Sequence, residues 1–216
     1  MSSDTSTQQT PAELNDEVDF EALLSPDGLL SICGFGSLLS ERSARSTFPD
    51  LINFRVARLN GFRRVFAHAA PFDTNSWIEK GQIRSFMERE LEFRFLAVVP
   101  ETLDGKPYQN PAVLCARYSD EEFFRVRCKG SKEIYFQHYG QFGIDKIWVD
   151  DIFPCRVYLR HCVLAANNLG DMASNNFLDH TFLGDRKTTI REYLATAGSG
   201  IMEEEPPESI KSRYEG

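Results

Sequence analysis

The sequence predicts one α+β domain, and three observations carry that prediction. Short apolar or alternating runs of strand length fill much of the first half, a three- and four-residue period sets in between Ser76 and Leu91, and helical patterns gather toward the C-terminal end. A chain of 216 residues, 42% hydrophobic and 12% aromatic, carries apolar surface for one sizeable core rather than two. Residues 1–25 are rich in Ser, Thr, Gln, Asp and Glu, bury too little to offset their ordering entropy, and are expected to form a disordered acidic arm. The domain then runs over 26–196, and 197–216, with Gly198-Ser199-Gly200 and Glu203 to Pro207, is expected to be a second disordered acidic tail.

Within the domain, Leu29 to Cys33 is a mostly apolar strand stopped by the turn Gly34-Phe35-Gly36-Ser37. Phe54 to Leu59 alternates, meets Asn60-Gly61 and resumes as Phe62 to Phe66, which predicts a hairpin. Ile83, Phe86, Met87, Glu90 and Leu91 fall on one side of a helix drawn through Ser76–Leu91, which sets Glu90 on or beside its apolar face. Glu92 to Val99 is a strand ended by Pro100, Asp104-Gly105-Lys106-Pro107 is a turn, and Ala112 to Tyr118 is a second apolar strand. Helices follow over Asp120–Arg127 and from Arg160 to about Leu169, continuing through Phe177, and again over Lys187–Leu194. The aromatic stretch Ser131–Trp148 is read first as core and second as a lid or partner surface.

The net charge of −8 is unevenly placed. Residues 1–27 hold seven acids and no base, while 201–216 hold five acids against Lys211 and Arg213, so the body between them sums to about +2. A nearly neutral body argues against nucleic acid or an anionic membrane as partner. The longest apolar runs fall short of a membrane span and the start lacks a secretory pattern, which predicts a soluble cytoplasmic protein. Five cysteines without a C-x-x-C pair read as reduced thiols, and four histidines without ligand spacing give no metal centre. No feature assigns an oligomeric state.

Two groups can carry chemistry. Two glycines around one aromatic, just past a strand, permit positive φ angles and leave main-chain N–H groups uncovered, which makes Gly34-Phe35-Gly36-Ser37-Leu38 a cradle for a carboxylate or oxyanion. The alternative is an ordinary strand-ending turn. Glu90, placed against an apolar helix face, loses hydration and becomes a proton acceptor for an amine; the alternative is a solvated charge run through Glu88-Arg89-Glu90-Leu91-Glu92.

These segments together resemble the gamma-glutamylcyclotransferase-like superfamily. Ile32-Cys33-Gly34-Phe35-Gly36-Ser37-Leu38-Leu39 is similar to its strand and G-Y-G-S-[LN] loop, and Ala57 to Phe66 is similar to its A-x-L-x-G-[YF]-x-[RL]-x-F hairpin. Phe86-Met87-Glu88-Arg89-Glu90 resembles the segment that ends in the catalytic glutamate, and Pro154 to Tyr158 followed by Ala165 to Gly170 resembles the family's tyrosine strand and helix start. The loop carries Phe35 in place of the usual Tyr, and the stretch between Phe66 and Phe86 is shorter than the family's, without its strand alternation.

The resemblance implies a small mixed β-barrel flanked by helices, with loop and glutamate facing one cavity. It implies that the α-amine of a γ-glutamyl substrate attacks its own γ-carbonyl and yields 5-oxoproline plus a free amine or peptide, without a cofactor. In that scheme Glu90 is the acid–base residue, main-chain amides at Phe35, Gly36, Ser37 and Leu38 hold the substrate, and Tyr158 lines the cavity. The rival reading is a non-catalytic member that binds a small metabolite or a protein partner. A hydrolase with Ser37 as nucleophile is a third and weaker reading, since G-F-G-S-L lacks the trailing glycine of a nucleophile elbow.

Overall fold

The computed structural model describes residues 11–69 and 82–208, with Lys211 and Tyr214 beyond them. In chain order the elements are β1 (Glu13–Leu14), α1 (Glu17–Glu21), β2 (Ser31–Ile32), α2 (Glu41–Thr47), β3 (Arg64–Phe66), α3 (Gln82–Arg89), β4 (Phe93–Val98) and β5 (Ala112–Arg117). They continue with α4 (Asp120–Val126), α5 (Lys132–His138), α6 (Arg156–Asn168), α7 (Asp171–His180), β6 (Thr181–Leu183) and α8 (Ile190–Leu194). The α+β class therefore holds, and β4, β5, α4 and α8 lie within the segments the patterning assigned. No helix among the described residues is long and apolar enough to cross a membrane.

The main sheet is open, in the order β1-β4-β5-β2, and β3 and β6 form a separate two-stranded pair. The barrel implied by the family resemblance is not closed among the described residues. The reason is visible at the edges: β1 and β2 contribute two residues each, so the hydrogen-bonded ladder stops there instead of wrapping round. β4 and β5 run antiparallel with Leu96 opposite Leu114, and β2 joins parallel with Ile32 opposite Val113.

Pleating sorts the side chains. Phe95 and Val113 pack on one face with Phe20 of α1 and Phe86 of α3, while Leu96, Val98, Ala112 and Leu114 pack on the other with Cys33, Phe35 and Leu59. A second, helical core gathers Leu159, Cys162, Phe177, Ile190, Tyr193 and Ile201 from α6 to the C-terminal residues. The aromatic stretch is core along one side, where Tyr139 meets Phe123 at 5.5 Å between ring centres and joins Ile147 and Trp148. Its other side leaves Phe136 at 61% exposure.

The predicted hairpin is corrected. Asn60-Gly61 does turn the chain, with Gly61 at φ +82°, but Arg58 exchanges both backbone hydrogen bonds with Glu101, at 2.8 and 2.7 Å. The partner of β3 is β6, in parallel register, with Arg64 opposite Thr181 and Phe66 opposite Leu183. Tertiary burial overrides the local turn signal, because that pairing lets Phe66 pack edge-on against Phe177 at 6.5 Å. The expected tyrosine strand is likewise a helix: residues 156–158 open α6. Residues 76–81 of the predicted helix lie outside the described residues, and α3 occupies the remainder up to Arg89.

The described parts of the two acidic ends, from residue 11 and up to residue 208, pack against the domain. The Asp16 carboxylate caps α1 by accepting from the Val18 and Asp19 amides, β1 pairs with β4, and Phe20 is 0% exposed with its ring edge-on to Phe95 at 5.2 Å. At the other end Ile201 is fully buried, the Arg160 Nε donates to the Met202 carbonyl at 3.3 Å, and Arg156 pairs with Glu204. The acids face outward while Leu14, Phe20 and Ile201 face in, a pattern that averaged composition conceals. Phe20→Ala is therefore expected to lower the unfolding free energy by about 3–5 kcal/mol in urea melts, whereas a residue on an expendable arm would change it by less than about 0.5 kcal/mol.

Candidate functional site

The Gly34–Leu38 loop is positioned from both sides. The Cys33 amide donates to the Val113 carbonyl at 2.8 Å and extends the β2–β5 pairing to the first residue of the loop. Ser37–Leu39 then forms a 3₁₀ turn, closed by the Leu39 amide on the Gly36 carbonyl at 2.9 Å, and the Ser40 hydroxyl caps α2 by accepting from the Ser43 amide at 3.2 Å. The Ser37 amide donates to the Tyr158 Oη at 3.1 Å.

The glycines are needed for close approach rather than for a positive φ, which corrects the expectation from sequence: neither Gly34 nor Gly36 has positive φ. A Cβ on Gly36 would lie 2.4 Å from the Tyr158 Oη, and one on Gly34 would lie 2.5 Å from the Leu38 Cβ. Tyr158 is fixed in turn by Phe66, whose ring meets it edge-on at 6.2 Å, and by a side-chain hydrogen bond shared with Cys162. Burial drives the Tyr158 phenol well above its ordinary range, so it stays a neutral hydroxyl. The Phe35 and Gly36 amides have no hydrogen-bond partner among the described residues.

Glu90 follows α3 directly. Its amide donates to the Phe86 carbonyl at 3.0 Å and its carbonyl accepts from the Phe93 amide at 2.9 Å, so it forms the turn between α3 and β4. Its side chain is 19% exposed and pairs with the Arg89 Nε at 3.1 Å. Arg89 also donates from Nη1 to the Thr47 Oγ1 at 2.6 Å, which ties this carboxylate to the far end of α2. The Cys115 thiol on β5 feels the charge of Glu90 and Arg89 and is close to Cys33, and burial raises it well above its ordinary value. The carboxylate and the glycine loop lie at one end of the sheet: β4, which Glu90 precedes, begins opposite Arg117 at the end of β5 toward which parallel β2 runs. Burial also pushes the Cys33 thiol up to about 11 and the Cys162 thiol up to about 12, so both are protonated at neutral pH and neither is a ready nucleophile.

A cleft of about 1450 Å³ opens between the sheet and the helical core. Its floor includes Ala112, Leu114 and Ala116 of β5, and the facing wall includes Ala166 of α6 and Phe177 of α7. Of the residues singled out from sequence, Phe35 and Leu38 line it, whereas Gly36, Ser37, Tyr158 and Glu90 stand behind that lining. The structure therefore unites Gly36, Ser37 and Tyr158 in one contact, sets Phe35 and Leu38 on the cleft, and places Glu90 at the neighbouring end of the sheet. Tyr158 supports the loop from α6 instead of lining the cavity, which corrects its expected place. Ser37 has no histidine within hydrogen-bond reach of its hydroxyl among the described residues, so the triad reading gains no partner.

Sequence reasoning assigned no role to Arg64. Its Nε donates to the Thr181 Oγ1 at 2.9 Å, its Nη2 donates to the Asn176 carbonyl at 3.3 Å and to the Asn176 Oδ1, and its guanidinium lies 5.5 Å from the centre of the Phe177 ring. It lines the cleft. The usable signal was the alternation Phe62, Arg64, Phe66, which puts a cation on the inward side of a strand.

Comparison of the chain with models of protein families, with curated proteins and with solved structures gives no match. Gly36→Ala is expected to cost about 1–3 kcal/mol by overpacking and Tyr158→Phe about 1 kcal/mol by loss of a hydrogen bond. Because deleting the hydroxyl also makes room for the methyl group, the double variant should lose less than the sum, with a coupling of about 0.5–3 kcal/mol in denaturant melts. Simple additivity would show that the 2.4 Å approach does not govern the loop.

Proposed function

We propose that the protein is a gamma-glutamylcyclotransferase-type enzyme that cyclises a γ-glutamyl group to 5-oxoproline and releases an amine or peptide. The observation that carries this reading is that a largely buried carboxylate, Glu90, and the glycine loop lie at the same end of the sheet, Glu90 just ahead of β4 and the loop just after β2. Supporting it are the order and chemistry of the loop, the turn at Asn60-Gly61 and the glutamate segment along the chain. The finer fold assignment, a variant of that family's architecture with an open sheet, belongs to the same proposal.

The chemistry asks little of the protein beyond geometry. Held near its own γ-carbonyl, the substrate's α-amine reacts intramolecularly, which supplies effective concentration without an external nucleophile. Its ammonium takes the place of Arg89 against Glu90, which accepts one proton. The amine nitrogen then bonds to the γ-carbon, and the developing oxyanion is met by the unpaired amides of Phe35 and Gly36. The bond from the γ-carbon to the original amide nitrogen breaks as Glu90 returns the first proton to that leaving nitrogen, and the second proton, left on the new ring nitrogen, is taken up by the departing amine, which leaves as an ammonium. Because the Ser37 amide is committed to Tyr158, the donor set is narrower than the four residues implied by the resemblance: Phe35, Gly36 and Leu38 remain, and Leu38 also lines the cleft.

A second reading has one observation in its favour. Glu90 stands behind the cleft lining and is engaged by Arg89, as befits a domain that binds a small metabolite without transforming it. Incubation of the protein and its Glu90→Gln variant with γ-glutamyl amines and peptides, glutathione included, separates the two. The enzyme reading expects 5-oxoproline release that falls about 10²–10⁴-fold in the variant. Equal release by both proteins removes Glu90 from the mechanism, and no release by either leaves the binding reading.

A further inference from the structure

The cleft wall contains a cation without a counter-charge. Buried charges in proteins are ordinarily paired, because a low-dielectric surround makes an isolated ion costly. Arg64 is largely covered, yet each of its described partners is neutral: a threonine hydroxyl, an asparagine carbonyl and side-chain amide, and an aromatic face. The thiols close enough to feel its charge, Cys33 and Cys162, are held protonated by burial and offer no negative charge at neutral pH. Among the described residues no carboxylate pairs with it.

The geometry also leaves a donor unspent. Nε is taken by Thr181 and Nη2 by Asn176, while Nη1 has no hydrogen-bond partner among the described residues. The Phe35 and Gly36 amides, just past Cys33, are unpaired as well, and Phe35 and Arg64 line the same cleft. A fixed guanidinium on the same cleft as an uncovered amide suits a planar oxyanion. Arg64 has one nitrogen left to give, Nη1, which favours a carboxylate with its two acceptor oxygens over a phosphate that asks for more donors.

We propose that Arg64 is a ligand-binding residue whose missing counter-ion is the carboxylate of a small organic acid bound in the cleft. This inference is independent of whether that compound is cyclised. It also accounts for the way the side chain is held: Thr181 and Asn176 fix the guanidinium in place but cannot neutralise it.

Calorimetric titration and melting temperatures test the proposal with acetate, L-glutamate and 5-oxoproline as probes, their neutral amides as controls, and inorganic phosphate as the competing anion. The intact protein should bind at least one of the acids, should ignore the matching amide, and should melt higher in that acid. Arg64→Met should weaken the acid about 10- to 100-fold while the ligand-free variant melts at or above the temperature of the parent, since an uncompensated charge has been removed. Arg64→Lys should retain part of the affinity. Equal affinity of the parent and Arg64→Met, equal binding of acid and amide, tighter Arg64-dependent binding of phosphate, or no binding of any acid would each overturn the proposal. So would a lower melting temperature of Arg64→Met with acid affinity retained, which would mark Arg64 as purely structural. Carboxylate binding through Arg64 without 5-oxoproline release would separate this inference from the cyclisation reading.

Discussion

The contact between the Ser37 amide and the Tyr158 hydroxyl joins two halves that otherwise have separate cores. On one side stands the open sheet with α1 and α3, and on the other the α6–α8 helices with the C-terminal residues. A single neutral hydrogen bond contributes only about 1 kcal/mol, so its importance is geometric. It sets how close the loop comes to α6, and that approach is so near that only glycine fits at position 36. The cleft is the space left between the halves once this distance is set, with Phe35 and Leu38 on its lining because Gly36 and Ser37 are turned toward Tyr158.

The chemistry of the site follows from which groups that packing occupies and which it leaves open. The Ser37, Leu39 and Ser40 amides are spent on Tyr158, Gly36 and Ser37, so among the described residues the open donors of the loop are the Gly34, Phe35, Gly36 and Leu38 amides. Glu90 is shielded by Phe86 and the end of the sheet rather than by a deep pocket, and Arg89, anchored on Thr47, fixes its orientation. The loop and the glutamate are thus mechanically linked: the 3₁₀ turn runs into α2, α2 ends at Thr47, and Thr47 holds the arginine that holds the carboxylate. Arg64 completes the asymmetry by bringing positive charge to the opposite wall.

Segments where local signals agreed with tertiary demand were legible in the sequence. Strands β4 and β5 announce themselves by apolar runs bounded by Pro100 and the Asp104–Pro107 turn, and α4 by Ser119 and Glu122, which form a reciprocal capping box. The glycine loop was legible as a special turn, though its steric cause was not, since that depends on a tyrosine 121 positions away. The hairpin at Asn60-Gly61 failed because a turn signal specifies where the chain reverses, not which strand it then meets. The packing of Phe20 and Ile201 was not legible in the acidic ends, because one buried phenylalanine or isoleucine among many carboxylates scarcely alters composition. Arg64 was visible as an inward position of an alternating run, but its neutral surroundings come from Thr181 and Asn176 far along the chain.

The parallel pairing of β3 with β6 also constrains how the protein is made. Among the described residues, 64–66 find their ladder partner at 181–183, so during synthesis β3 emerges long before the strand that pairs with it. Closing so long an intervening loop carries an entropic cost that local contacts do not repay until the distant strand arrives, which slows folding relative to a hairpin. Until then Phe66 and Arg64 await the helices that will cover them. The facing wall of the cleft is thus supplied by segments far along the chain from the glycine loop, and a nascent protein halted before residue 181 would carry that loop and Glu90 without the strand that pairs with β3.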